Sequence, residues 1–239
     1  RKMIIGPRPG APRPSDGDLV RVVDRDNQCL GFGLWNQRSQ IAIRLLTQAR
    51  TVDQPPPGVE FWHRRFLDAL ALRRDVLKLE DVTNAYRVLH AEGDGVSGLV
   101  VDRYDDVLSA EVFSLGIYQR IGPILDLLEP LVGTRHRRVH VDAHIAEAED
   151  FSGAPLASPG LGPRATIQEN KVRFRVHFTE GHKTGFFCDQ RDNRKAILPF
   201  CAGKSLLDVC CYTGGFAVYA ATLGEPIDVT GVDLDERAI

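Results

Sequence analysis

The stretch that decides the fold is Leu206-Leu207-Asp208-Val209-Cys210-Cys211-Tyr212-Thr213-Gly214-Gly215-Phe216. The run from Ser205 to Val209 predicts a buried strand, Cys210 to Gly215 a turn, and Phe216 to Leu223 a short helix stopped by Gly224. Asp228 to Asp233 predicts another strand. Strand, glycine turn, helix, strand is the opening of a doubly wound α/β sheet. A turn of this kind lets backbone approach a ligand closely and offers it the unpaired N–H groups of a helix N-terminus. Asp208 lies near the end of the first strand. Asp233, in Gly231-Val232-Asp233-Leu234, closes the second, where a carboxylate can accept hydrogen bonds from both ribose hydroxyls of a nucleoside.

Two nucleoside cofactors fit such a turn. A dinucleotide needs Gly-x-Gly-x-x-Gly, so that its pyrophosphate can sit on the helix N-terminus. Cys210 and Tyr212 occupy the places where the early glycines would fall. S-adenosylmethionine has no pyrophosphate and tolerates that loss, using Gly214 and Gly215 for close approach. The residues favour the methyl donor.

Upstream, Val172, Phe174, Val176 and Phe178 alternate with Arg173, Arg175 and His177, the period of a half-buried strand. A polar block from Lys183 to Lys195 separates it from the turn. Further back, Trp62, Phe66, Ala69, Leu70, Leu72, Val76, Leu77 and Leu79 recur at helical steps, with Arg64, Arg65, Arg73 and Arg74 on the polar face. Leu99 to Val101 and Val107 to Phe113 predict strands flanking a polar turn from Asp102 to Asp106. Ile117, Ile121, Ile124, Leu125, Leu128 and Leu131 predict a second helix, and Val139 to Val141 a strand; Gly153 to Pro163 closes this segment loosely. Near the N-terminus, Leu19 to Val23, Leu30 to Leu34 and Ile41 to Leu45 are short runs divided by turn-formers, the pattern of a small β module. It ends at Asp53-Gln54-Pro55-Pro56-Pro57-Gly58, where three prolines make a linker.

The 239 residues are 43% hydrophobic and 26% charged with a formal charge of -2, an ordinary globular composition. No run approaches the roughly 18 apolar residues of a membrane span, and Arg1 to Ile5 lead at once into Gly and Pro without the apolar stretch of a signal peptide. The expected location is the cytoplasm. The near-neutral total hides an uneven distribution. Residues 1–50 hold nine Lys or Arg against four acids, residues 51–170 twelve against nineteen, and residues 171–239 nine of each. The basic first segment suits a polyanion. Five cysteines, Cys29, Cys188, Cys201, Cys210 and Cys211, without a Cys-x-x-Cys pair, argue against a disulfide framework or a zinc site and read as mostly buried thiols. His140 and His144 are four apart, but His140 reads as strand, so no metal is expected.

The block His182-Lys183-Thr184-Gly185-Phe186-Phe187-Cys188-Asp189-Gln190-Arg191-Asp192-Asn193-Arg194, with Asp208 to Phe216, resembles the class I methyltransferases that act on a cytosine C5 of 23S rRNA. Asn84 to His90 and Asp94 to Tyr104 are similar to that family's central domain, and the basic β module stands where it carries a PUA RNA-binding domain. Cys188 stands where the family usually has Leu and Cys210 where it usually has Phe, and the stretch from Arg137 to His144 matches poorly. The resemblance implies a mixed α/β, multi-domain fold: a PUA-like β barrel over 1–52, a linker, helix and central α+β domain over 53–170, and a Rossmann-like methyltransferase domain beginning at 171. It implies S-adenosylmethionine as cofactor and ribosomal RNA as partner, with no membrane; a homodimer is also open. In that chemistry a cysteine thiolate adds to C6 of cytosine, making C5 nucleophilic, and a base later removes the C5 proton. The family carries its nucleophile on later strands, so the chain is expected to be truncated and no catalytic residue is assigned.

The expected cofactor residues are Asp208, Tyr212, Gly214, Gly215, Asp233, Leu234, Phe187, Asp189 and Arg191. Five of them have a plainer reading. Asp208 and Asp233 could cap turns, and Phe187, Asp189 and Arg191 could pin a loop to the sheet. Two rival functions remain at this point: an RNA-binding module with a vestigial cofactor stub, and a nucleotide-dependent oxidoreductase. An α/β sheet of so few strands is also expected to leave a face or an edge uncovered.

Overall fold

The computed structural model describes Gly6 and residues 10–48, 55–178 and 186–235. Arg1 to Ile5, the Asp53-Gln54 start of the linker and the His182 to Gly185 part of the motif block lie outside the described residues. The first module is a three-stranded antiparallel sheet, β1 (Leu19–Val23), β2 (Cys29–Trp35) and β3 (Ile43–Gln48), in that order. It docks on the rest of the chain through Leu34 and Leu46, which join the central hydrophobic core, and through polar contacts. The carboxylate of Glu149, 4% exposed, accepts from Ser39 Oγ at 2.6 Å, Asn36 Nδ2 at 3.1 Å and Arg44 Nη2 at 3.1 Å.

Helix α1 (Val59–Ala71) buries Trp62, Phe66, Ala69 and Leu70 and runs into one wide turn over Leu72–Val76, closed by Leu77 N–H donating to the Leu72 carbonyl at 2.9 Å. That turn overrules the simple helical wheel. Arg73, expected on the polar face, is 8% exposed and grips both oxygens of Asp94 at 2.6 and 2.8 Å. Arg74 donates to the carbonyls of Leu131 and Val132.

The central sheet has five strands in sequence order: β4 (Ala85–His90), β5 (Leu99–Tyr104), β6 (Val107–Val112), β7 (His136–His140) and β8 (Leu156–Ala157). Only β6 and β7 run parallel, joined by α2 (Leu115–Tyr118) and α3 (Ile121–Val132). Strand β5 continues through Tyr104, so Asp102 is not in a polar turn as expected. It is 1% exposed and takes Arg87 on both oxygens at 2.9 and 3.1 Å. Helix α4 (Ala143–Glu149) begins where His144 was read, and His140 stays in β7. No group of metal-ligating side chains is found among the described residues.

Period two puts the two faces of this sheet to different uses. Val88, Leu99, Val101, Leu108, Ala110 and Val112 face α1 and α3, with Phe66, Ile124, Leu125 and Leu128 from the helices. Ala85, Tyr104 and Val107 face a hairpin of β9 (Arg164–Glu169) and β10 (Val172–His177), which buries Ile167, Val172, Phe174 and Val176 against them. The boundary expected between 170 and 171 falls in the turn of this hairpin. Its strands pair from Glu169↔Val172 to Arg164↔His177, so a break there would separate two halves of one unit.

The last elements are a 3-10 turn (Cys188–Gln190), α5 (Arg191–Ala196), β11 (Ser205–Val209), α6 (Gly215–Leu223) and β12 (Asp228–Val232), with β11 and β12 parallel. Strand, turn, helix, strand thus stands as read, but β11 is not buried. Leu207 is 63% and Val209 64% exposed, because α6 shields only the opposite face. The uncovered face expected of so small a sheet is therefore present.

Candidate functional site

The turn after β11 takes an unusual path. Cys210, Tyr212 and Gly214 have φ of 59°, 50° and 67°, three left-handed residues at alternate positions. Two of them carry side chains, which costs roughly 1–2 kcal/mol each and persists only where surroundings hold it. Here the hold is visible. Tyr212 N–H donates to Asp233 Oδ2 at 2.7 Å, Cys211 N–H to the Val232 carbonyl at 3.1 Å and Gly214 N–H to the Cys211 carbonyl at 2.8 Å. Asp233 Oδ1 accepts from Asp235 N–H at 2.9 Å. Asp208 reaches the other end of the turn, its Oδ2 accepting from Ala217 N–H at 3.0 Å in the first turn of α6.

Both carboxylates therefore do what their plainer reading said and cap backbone groups, and in doing so they shape the turn. Gly214 leaves its surroundings open: a Cβ there would meet only Val218 Cγ2, at 3.8 Å. Gly215 is more confined, with Arg194 Cδ 3.3 Å from its missing Cβ. Leu234 is 99% exposed.

Phe187 joins this turn to the central sheet. Its ring meets that of Tyr212 edge-on, centroids 5.2 Å apart at 70°. On its other side it lines a cavity of about 650 Å³, shared with Asp189, Arg191, Arg87, Glu111 and Phe113. The structure thus brings Asp208, Tyr212, Gly214, Gly215, Asp233 and Phe187 together, while Asp189 and Arg191 line the cavity between the motif block and β4 to β6. Arg191 lies over Asp192, at 3.2 Å.

A residue missed as functional is Arg194. It is 2% exposed, pairs with the fully buried Glu169 and donates to the Phe187 carbonyl at 3.1 Å, with the Phe186 ring centroid 4.7 Å from its Cζ. It holds Phe187 in place from behind. Its partner is 25 residues upstream on the hairpin, which no local spacing signals.

The cysteines divide by burial. Cys188 and Cys201 are buried, but Cys210 is exposed and Cys211 half-buried, contrary to the expectation that the pair packs inside. The turn lifts Cys210 out of the strand. Burial pushes the Cys188 thiol well above its ordinary value, with Asp102 and Glu169 adding to the shift. Cys211 is raised too, by burial and then by Asp208 and Asp233.

Comparison with known proteins agrees with this layout. Residues 4–48 match the PUA-like domain family and residues 134–238 the S-adenosylmethionine-dependent methyltransferase family. The segment similar to a PUA-like domain thus precedes the one similar to a methyltransferase. Relatives named ribosomal RNA large subunit methyltransferase I are similar over nearly all of it: 35% identical over 231 residues in Shewanella frigidimarina and 36% over 236 residues in Aeromonas hydrophila, each covering 95% of this chain and 56% of the relative. The chain thus spans about half the length of these relatives. Among solved structures, one described as a SAM-dependent methyltransferase from Streptococcus mutans aligns with a TM-score of 0.74 at 23% identity, covering 94% of this chain and 57% of that one. Another, described as a methyltransferase complexed with SAH, gives 0.76 at 22%, covering 94% and 56%. These two establish the mixed α/β fold. No described helix is long and apolar enough to cross a membrane.

Proposed function

We propose that the protein is an S-adenosylmethionine-dependent RNA methyltransferase whose acceptor is a cytosine C5 of 23S ribosomal RNA. The observation that carries this reading is the Asp233-braced turn at Cys210 to Gly214, together with the methyltransferase match over residues 134–238 and the names of the relatives. When bound, the cofactor supplies a methyl group on a positively charged sulfur. Asp233, at the end of β12, would accept from its ribose hydroxyls. Gly214 would let it lie against the backbone, and the Phe187–Tyr212 ring pair would give it an apolar wall. Asp189 and Arg191, on the cavity side of Phe187, would face the acceptor.

The chain's own cysteines are not assigned the thiolate role. Cys188 and Cys201 are sealed in, Cys210 and Cys211 sit on the cofactor turn, and Cys29 lies in the first module. Calorimetry with S-adenosylmethionine and NAD side by side checks the cofactor; binding of NAD alone would end the reading. Mass spectrometry of rRNA from cells lacking the gene checks the acceptor. Loss of one 5-methylcytosine in 23S rRNA is expected, and an unchanged modification pattern would remove the substrate assignment.

A further inference from the structure

The hairpin of β9 and β10 has a second face. Its inward face packs on the central sheet and on Tyr219 of α6, while its outward face carries Arg164, Thr166 and Gln168 from β9 and Arg173, Arg175 and His177 from β10, all exposed. Residues directly opposite in an antiparallel pair share a face, so Gln168 stands beside Arg173, Thr166 beside Arg175 and Arg164 beside His177. Lys171, exposed in the connecting turn, extends the row. Within 164–178 one acidic residue occurs, Glu169, and it is turned inward and fully consumed by Arg194. Arg164, Arg173 and Arg175 have no carboxylate partner among the described residues.

Solvated faces normally mix both signs. This one carries a single sign, at a spacing of about 6.8 Å between alternate residues of a strand. Most of the described arginines elsewhere are ion-paired. In the first module, taken by charge as the polyanion surface, Arg38 and Arg44 are tied to Asp150 and Glu149.

We infer that the outward face of this hairpin is a surface for the phosphate backbone of RNA, an inference that rests on the proposed RNA acceptor. Thr166 and Gln168 add hydroxyl and amide donors between the cations, a mixture suited to phosphate and sugar oxygens without reading bases. The ribbon is anchored rigidly, because its inner face is core and its turn is locked by Glu169. RNA held on it is tied through Arg194 to the loop that positions Phe187.

The test is fluorescence anisotropy with a labelled 20-nucleotide RNA hairpin over a series of KCl concentrations, comparing the chain with an Arg173→Gln/Arg175→Gln variant. An Arg64→Gln/Arg135→Gln variant removes the same charge from exposed positions elsewhere. Thermal unfolding confirms that all three are folded. The ribbon variant is expected to bind at least about tenfold more weakly, with the slope of log affinity against log salt reduced by about 1.4–2 for two lost phosphate contacts. The control variant is expected to stay near the parent. Equal losses in both variants, or none in the ribbon variant while the parent binds, would overturn the inference and leave the RNA reading standing. Binding of polyglutamate of equal charge as tightly as RNA would assign the face to an acidic protein instead. Failure of the parent chain to bind RNA at all would defeat the RNA reading, and this inference with it.

Discussion

Arg194 and Glu169 form a two-pronged ion pair inside the protein, Nε to Oε1 at 2.9 Å and Nη2 to Oε2 at 2.8 Å, with side-chain exposures of 3% and 0%. Around it stand Phe174, Phe186 and Tyr219, so neither charge has water to fall back on. The pair ties α5 to the end of β9 and couples the motif block to the hairpin. Next to it the Tyr219 hydroxyl donates to the Glu169 carbonyl at 3.1 Å. Burial, with the Glu169 charge adding, pushes that phenol up to about 12.

Removing one partner strands the other. Glu169→Gln is expected to destabilise the chain by about 3–5 kcal/mol, whereas Glu169→Leu with Arg194→Leu recovers much of that loss. Urea unfolding of the two variants checks this. A single variant as stable as the parent would mean that the pair is not sealed from solvent.

Asp233 braces the turn that is proposed to hold the cofactor. Asp233→Ala leaves the N–H groups of Tyr212 and Asp235 without their acceptor and is expected to weaken S-adenosylhomocysteine binding at least about tenfold, about 1.4 kcal/mol. Thermal stability should change little, since the turn lies at the surface. Isothermal titration and a melting curve separate the two effects.

Within the protein itself Gly214 is needed for conformation, since no neighbouring atom crowds it. Alanine fits sterically there but must adopt a φ near 67°, so Gly214→Ala is expected to cost about 1–2 kcal/mol without altering the core. Chemical denaturation gives the cost. A stabilising outcome would show that the turn is not left-handed at this position.

Thiol reactivity should follow burial. In the native chain iodoacetamide is expected to label Cys210 first and to leave Cys188 and Cys201 untouched until the protein unfolds. The raised Cys188 thiol remains protonated through neutral and mildly alkaline pH, which adds to its protection. Peptide mass mapping after timed quenching would reveal early labelling of Cys188, the contrary result.

Glu80 supplies an acid-sensitive contact. Burial alone would raise its carboxyl, but the Tyr86 hydroxyl at 2.7 Å and the guanidiniums of Arg74 and Arg103 outweigh burial and hold it below its ordinary 4.5. A carboxyl lowered in the folded state contributes stability that is present above pH 4.5 and lost as pH falls through the folded value. Glu80→Gln is therefore expected to lower stability at pH 7 and to flatten its fall between pH 5 and 3. Denaturation midpoints across that range decide it; parallel curves for parent and variant would refute the coupling.

Legibility in the sequence followed the range of the interaction. Alternation along Val172 to Phe178 and the helical spacing of Trp62, Phe66, Ala69 and Leu70 were readable because each depends on one element meeting one apolar surface. Arg73 was misplaced because a single wide turn after Ala71 shifts every later side chain around the helix. Asp102 was misread because a charged residue inside a strand looks like a turn until Arg87, on the neighbouring strand, is seen beside it. Within the candidate site, Asp208, the two glycines and Asp233 were expected from their order along one strand–turn–helix–strand unit, and the structure brings them to one turn. Arg194, Glu169 and the Glu149 hub were not, since their partners lie 25 to 113 residues away.

The order of the elements and the glycine turn between β11 and α6 were legible along the chain, because hydrophobic period and glycine placement act over a few residues. Only the tertiary structure decided which charges remain available. Pairing depends on which strands become neighbours. That is why Arg38 and Arg44 of the basic first module are tied to Asp150 and Glu149, while the hairpin turns its one carboxylate inward and its cations out.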